Sequence, residues 1–189
     1  NVATGYSAMS GASAGSTAAA NVAIGREVML NVTSAYDNVV IGTLAGAAIT
    51  SGFSNTLLGY MAGYALTDGD SNVAIGKDAL RAVTTTDDNV AIGERAGTAS
   101  TGAGNVYIGR LAGGSNTSSN YNTVVGTNAL KDTDGAGSSS AFGYGAMQYS
   151  SADNATGIGQ YALSGATGDK NAALGNSAGA IAKGSTNSV

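Results

Sequence analysis

The feature that most constrains this chain is a short motif that returns at a nearly fixed distance. NVAIG at 72–76 returns as NVAIG at 89–93, and alignment on the final glycine divides the whole chain into eleven units. The steps are 16 or 17 residues, apart from a first step of 20. The aligned glycines are Gly5, Gly25, Gly42, Gly59, Gly76, Gly93, Gly109, Gly126, Gly143, Gly159 and Gly175. Such a period is the signature of a repeat architecture, so residues 1–189 are predicted to form a single repeat array. The chain stops inside a further copy of the motif, and we expect it to be a fragment of a longer fibre or adhesin.

One unit is too short to hold a strand, a helix and two turns. NVAIG alternates branched and small side chains with period two, which favours an extended strand. The sequence therefore predicts an all-β parallel solenoid of eleven coils of about 17 residues, which would rise about 50 Å at about 4.8 Å per coil. A second short strand is expected around Ala79 and Leu80. The repeated glycine is expected at a tight corner, and the repeated asparagine, such as Asn72, is expected to bond turn backbone or to form a ladder between coils.

The middle residue of each strand is predicted to face outward, with Val73 and Ile75 facing the interior. A strand that is apolar on both faces is usually buried on both, so these residues are expected to meet other copies of the chain. The candidate oligomer interface consists of Val40, Leu57, Ala74, Ala91, Tyr107 and Val124.

Composition argues against most catalytic chemistry. The chain has no His, Cys, Pro or Trp, and its net charge is −4. Nucleophile–base pairs of the usual kinds need His or Cys, and nucleic-acid binding needs a basic surface. We therefore expect no enzyme, no cofactor, no metal site and no nucleic-acid partner. Direct membrane insertion is not expected either.

Three pairs of carboxylates remain as candidates for glycan cleavage or calcium binding. They are Asp68 with Asp70, Asp87 with Asp88, and Asp132 with Asp134. All fall in the return loops between units, where turn formation and solvation is the favoured interpretation.

Two sets of side chains are expected at the surface. Tyr36 and Phe53 lie at the loop end of consecutive units, so their rings are expected about 4.8 Å apart. They are candidates for packing or for contact with a glycan. Arg26, Lys77 and Arg110 follow the corner glycine and are expected to form a solvated face with weak ion pairs.

The repeat also resembles a known class of surface proteins. NVAIG followed after two residues by Ala is similar to the motif of YadA-like heads in trimeric autotransporter adhesins. Segments such as NVAIGKDALRAVTTTDD, NVAIGERAGTASTGAG and NTVVGTNALKDTDGAGS are more similar still to the NTAIG-type arrays of phage tail fibres. The resemblance implies a left-handed β-roll that forms a homotrimer.

The resemblance and the composition together predict a structural and adhesive segment of an extracellular or virion fibre. Its expected role is attachment to a host or surface, with a surface glycan or protein as a possible partner. The alternatives are a bacterial trimeric adhesin head, on a bacterial cell surface, and a glycan-degrading tailspike. An ice-binding solenoid is disfavoured, because it needs a regular threonine array, whereas the threonines are expected to scatter over different positions of the unit, as at Thr43, Thr56, Thr84 and Thr98.

Overall fold

The computed structural model describes residues 1–12, 15–115, 118–132 and 135–180. In these ranges the regular elements are eleven strands of three residues each. They are β1 (Val2–Thr4), β2 (Val22–Ile24), β3 (Val39–Ile41), β4 (Thr56–Leu58), β5 (Val73–Ile75), β6 (Val90–Ile92), β7 (Val106–Ile108), β8 (Thr123–Val125), β9 (Ser140–Phe142), β10 (Thr156–Ile158) and β11 (Ala172–Leu174).

The eleven strands form one parallel sheet in which spatial order follows chain order. Equivalent residues pair from coil to coil; between β5 and β6, for example, Ala74 pairs with Ala91 and Ile75 with Ile92. Each connection therefore returns the chain to the start of the next strand, one coil along the axis. The prediction of an all-β parallel solenoid is confirmed.

The repeated glycine makes the corner that directly follows each strand. At Gly76 the angle φ is +131°, and an added Cβ would lie 2.6 Å from the carbonyl oxygen of Gly93. The same approach to the next corner glycine recurs from Gly5 to Gly159, and φ runs from 130° to 142° along the whole column. A side chain here would meet backbone of the next coil, which explains why glycine occupies this position in every unit.

The wall that follows the corner glycine is not the second strand that the sequence predicted. Residues 77–82 form turns instead, and positive φ values occur at Asp78 (58°) and Leu80 (48°). Alternate amides bond opposite neighbouring coils: Asp78 N donates to the Tyr60 carbonyl and Leu80 N to the Ala96 carbonyl. Coil-to-coil hydrogen bonding therefore continues along this wall without extended backbone.

The middle residue of the strand faces the interior, which overturns the predicted orientation. All six residues of the proposed oligomer interface, Val40, Leu57, Ala74, Ala91, Tyr107 and Val124, are 0% exposed within the single chain. Their strand neighbours face solvent instead; Val39 is 42% exposed and Leu58 is 43% exposed. The physical reason is the thinness of the coil, whose interior holds one column of strand side chains against the buried alanine of the wall.

Large and small side chains alternate between two interior positions, so that their volumes compensate. Where the strand centre is small, as at Ala74, the wall contributes a buried Leu80. Where the strand centre is Tyr107, the wall contributes glycine, and a Cβ on Gly97 would lie 2.8 Å from the Tyr107 ring. This is the packing adjustment that a close-packed interior requires.

The repeated asparagine forms a buried ladder along the axis. The Asn72 side-chain amide donates to the Thr86 carbonyl at 2.8 Å and to Asn55 Oδ1 at 3.2 Å. Asn72 Oδ1 in turn accepts from the backbone N–H of Asn89 at 3.1 Å. The ladder begins at Asn1 and reaches Ser139, whose backbone N–H donates to Asn122 Oδ1. Both predicted roles of the asparagine are therefore present in one side chain.

Candidate functional site

The largest candidate interaction surface is the outward sheet face, which we define as the first and third residues of β2 to β10. None of these side chains is buried. All nine third-position residues are apolar: Ile24, Ile41, Leu58, Ile75, Ile92, Ile108, Val125, Phe142 and Ile158. The first position is Val in β2, β3, β5, β6 and β7, and Thr or Ser in the other four strands. The face is thus a partly exposed apolar stripe in which equivalent residues repeat once per coil.

The acidic loops use their carboxylates to bond the neighbouring coil. Asp70 Oδ1 accepts from the backbone N–H of Phe53, and Asp87 Oδ1 accepts from that of Asp70, both at 2.8 Å. Asp68 Oδ1 accepts from the hydroxyls of Ser51 at 2.6 Å and Thr50 at 2.7 Å. These contacts favour the turn-forming interpretation.

Two of these carboxyls have shifted pKa values of opposite sign. The hydroxyl groups of Ser51 and Thr50 lower the pKa of Asp68. Desolvation raises the pKa of Asp70, and the neighbouring carboxylates of Asp87, Asp68 and Asp88 add to the rise. In the described ranges no group of three or more metal-ligating side chains comes together. The pair Asp132 and Asp134 is incomplete here, because Asp134 lies outside the described residues.

Tyr36 and Phe53 form the stacked pair that their spacing predicts. Their ring centroids are 4.8 Å apart and the rings are within 5° of parallel. Tyr36 is 42% exposed, and Phe53 is partly buried. Because the rings are stacked, each covers one face of the other. Contact with a glycan stays a prediction.

A second aromatic group escaped the sequence analysis. Tyr144 and Tyr161 lie in adjacent coils with ring centroids 5.4 Å apart and perpendicular planes. Tyr149 lies on the same wall, and its hydroxyl accepts from the side-chain amide of Gln148 at 3.2 Å. In the sequence, Tyr144 follows its corner glycine by one residue and Tyr161 follows its own by two, so they occupy neighbouring positions of the repeat. A comparison restricted to the same repeat position in each unit does not reveal this contact.

The charged residues of the wall form exposed ion pairs. Arg110 approaches Glu94 of the preceding coil at 3.6 Å, whereas Arg26 pairs with its chain neighbour Glu27 at 3.7 Å. All four side chains are at least a quarter exposed, so each pair contributes little stability. The expected solvated face is present, although only part of the pairing crosses between coils.

The threonines are arranged more regularly along the chain than the scattered positions predicted from the sequence. Thr33, Thr50, Thr67 and Thr84 recur at steps of 17 residues and form a column at the loop corner. The hydroxyls of Thr33 and Thr67 each donate to the carbonyl of the next threonine at 3.0 Å. The column therefore connects coils, which gives these hydroxyls a structural role.

Comparisons with known proteins add no family. The part of the chain that the structure describes contains no helix with the length and apolarity of a membrane span. No protein-family model, curated protein or solved structure matches this chain.

Proposed function

We propose that this chain is a structural and adhesive segment of an extracellular or virion fibre, in which three copies assemble side by side. The observation that carries the proposal is the outward sheet face, an apolar stripe that extends along the stacked strands. Soluble monomers seldom expose a continuous apolar patch of this extent.

The regular rise of the stripe favours a second copy of this chain as its occupant. Equivalent residues repeat once per coil, with the interstrand spacing of about 4.8 Å. Another copy has the same spacing and meets the stripe coil by coil, whereas an unrelated surface matches only a few coils. Cyclic closure hides the same stripe on every copy. A left-handed trimer is the arrangement that the motif's resemblance to YadA-like heads and tail-fibre arrays supports.

A fibre role also agrees with how the coils are joined. Sheet hydrogen bonds, the asparagine ladder and the carboxylate contacts all connect one coil to the next, as a rod-like segment requires. The stacked Tyr36 and Phe53 provide one candidate contact for a surface glycan. A bacterial adhesin head shares these features. A tailspike that cleaves glycans needs two carboxylates placed to act on one bond, and Asp70 and Asp87 instead bond backbone amides of adjacent coils.

The assembly is tested by light scattering on the purified chain. We expect three copies per particle. The double variant Ile75→Asp, Ile92→Asp places charges on the stripe and should give monomers. Tyr60→Asp is the matched control, because Tyr60 is 45% exposed on the wall that follows the corner glycine, outside the stripe. This variant should remain trimeric. A monomeric parent, or a double variant that still forms trimers, would contradict the assembly.

Attachment is tested separately with the fluorescently labelled assembly. It is mixed with Gram-negative cells, with Gram-positive cells and with immobilised extracellular-matrix proteins. We expect retention on at least one surface, and less retention for the double variant because it loses multivalency. Retention on none of the surfaces would count against an adhesive role, while leaving the assembly result standing.

A further inference from the structure

The wall that follows the corner glycines changes character along the rod. Beside β5 to β7 it carries charged residues, including Lys77, Asp78, Glu94 and Arg110. Beside β8 it carries Lys131 and Asp132, and beside β9 and β10 it is uncharged. A group of three tyrosines, Tyr144, Tyr149 and Tyr161, lies there together with Gln148. We call these four residues the tyrosine corner.

Packing against the backbone positions the tyrosine corner. An added Cβ on Gly145 would lie 2.6 Å from Cε1 of Tyr161, so the ring occupies space that this glycine leaves open. The backbone N–H of Tyr161 donates to the Tyr144 carbonyl at 2.9 Å, which ties the two coils together directly below the rings. The two rings are perpendicular, with their centroids 5.4 Å apart.

The polar groups beside the rings are held in place by their own contacts. The Gln148 side chain is largely buried, and its amide nitrogen donates to the Tyr149 hydroxyl at 3.2 Å and to Asp132 Oδ2 at 3.4 Å. Lys131 lies 3.6 Å from the Asp132 carboxylate, so the nearest charges are paired. The neighbouring Tyr144 side chain raises the pKa of the Tyr161 phenol above its ordinary value, which already leaves the phenol neutral at neutral pH.

Ring geometry, rather than exposure, distinguishes the tyrosine corner from the other aromatic pair. Tyr144 is 46% exposed and Tyr149 is 44% exposed, and the rings of Tyr144 and Tyr161 are perpendicular. Tyr36 and Phe53 are parallel and cover each other's inner faces. The rings of the tyrosine corner are not stacked face to face, so the exposed tyrosine rings remain accessible to a ligand.

We propose that the tyrosine corner binds a neutral saccharide ring. The apolar C–H face of the sugar stacks on one tyrosine ring, as amphipathic aromatic surfaces allow. The sugar hydroxyls exchange hydrogen bonds with the tyrosine hydroxyls and with nearby uncharged groups. Gln160 and Asn176 provide such groups, since their side chains bond each other at 3.2 Å on the same wall. The proposal rests on the attachment function and names its ligand class.

Affinity electrophoresis tests this site with dextran, laminarin and mannan as neutral probes and hyaluronan as an acidic probe. We expect at least one neutral polysaccharide to retard the parent protein. Tyr144→Ala and Tyr161→Ala should weaken that retardation roughly three- to tenfold. Tyr60→Ala is the matched control, because Tyr60 occupies the same repeat position as Tyr144 and is 45% exposed. It should behave like the parent.

A conservative variant separates ring stacking from a folding defect. Tyr161→Phe keeps the ring on Gly145 and should therefore retain most of the binding. If the fold depended on the Tyr161 hydroxyl, Tyr161→Phe would lose binding as Tyr161→Ala does. No retardation by a neutral probe, retardation by hyaluronan alone, or equal retardation of all variants would overturn the proposal. Loss of binding through Tyr36→Ala but not Tyr144→Ala would also overturn it.

The cell-attachment assay distinguishes failure of this site from failure of the proposed function. If Tyr144→Ala and Tyr161→Ala attach to cells as the parent does and bind the neutral probes equally well, the saccharide site is wrong and attachment stands. If neither parent nor variants attach to any surface, but the parent alone binds a neutral probe, the site stands and the attachment function fails.

Discussion

The two faces of each strand have similar apolarity and very different environments. Ala74, at the centre of β5, is completely buried, whereas Ile92 at the end of β6 is 37% exposed. In most coils the bulkier branched residues face outward and a smaller residue faces inward. In a thin coil, therefore, the volume available inside decides which strand face is interior, and apolarity alone does not decide it.

The interior face also contains large residues wherever the wall makes room for them. Leu57 is buried opposite Gly63, where a Cβ would lie 2.8 Å from the Leu57 side chain. The outward face shows no such compensation and carries an unbroken apolar column. We infer that side-chain volumes in the interior are matched within each coil, whereas the outer face keeps the same apolar character from coil to coil.

A charge placed on each strand face in turn should give the largest difference between them. Ala74→Asp buries a carboxylate without a partner and should lower the free energy of unfolding by roughly 4 kcal/mol or more. Ile75→Asp places the same charge on the outward face and should change the stability of the dissociated chain by less than about 1 kcal/mol. Urea unfolding at low protein concentration measures both. Equal losses would show that both strand faces are interior.

The corner glycine directly follows each strand, and its replacement should have the next largest effect. Gly76→Val forces a side chain against the Gly93 carbonyl while φ is +131°, and should cost about 3 kcal/mol. Gly15→Val is the control: φ there is +110°, but an added Cβ meets nothing within 4 Å. Thermal unfolding should show a clearly smaller loss for Gly15→Val. Similar losses would attribute the cost to backbone strain rather than to the neighbouring coil.

The asparagine ladder extends the contrast between interior and surface to polar groups. Asn72→Ala leaves the Thr86 carbonyl and the Asn89 N–H without their side-chain partner. Buried unsatisfied groups cost about 1 to 3 kcal/mol each, so we expect a loss of about 2 kcal/mol. Ser71→Ala, at the exposed neighbouring position, should change stability by less than about 0.5 kcal/mol. Chemical denaturation of both variants measures the difference, and an Asn72→Ala protein as stable as Ser71→Ala would contradict the ladder's energetic role.

Much of the architecture was predictable because it depends on period and backbone geometry. The repeat of Gly76 and Gly93 defines coil length, corner and register, and the recurring Asn72 implies a ladder. The orientation of Ala74 was not predictable from alternation, because both strand faces are apolar. The wall escaped prediction as well, since Leu80 adopts positive φ without a residue type that signals it. The Tyr144–Tyr161 contact depends on side-chain directions along that wall, which the period does not specify.

The smallest expected effect concerns the charge on Asp70, at the loop corner between the faces. Its pKa is raised by desolvation and by nearby carboxylates. Asp70 thus contributes most stability when protonated, below its unfolded pKa, and loses that contribution as pH rises through its folded pKa. Asp70→Asn keeps an acceptor for the Phe53 N–H, as Asn120 does for Ala103 at 2.7 Å.

Asp70→Asn should therefore stabilise the chain at neutral pH by roughly a few tenths of a kcal/mol, since solvent screens these charges. The advantage should disappear in acid, below the ordinary pKa of about 3.9 for an unfolded aspartate, where the carboxyl is protonated in both states. The pKa of Asp68 is lowered, so we expect the opposite effect for this residue. Asp68→Asn should destabilise the folded chain at neutral pH, and this effect should disappear in acid. Melting temperatures from pH 3 to 8 measure both variants. Curves of the same sign would show that the loop carboxylates act through net charge alone, because only distinct local contacts give opposite signs to neighbours two residues apart.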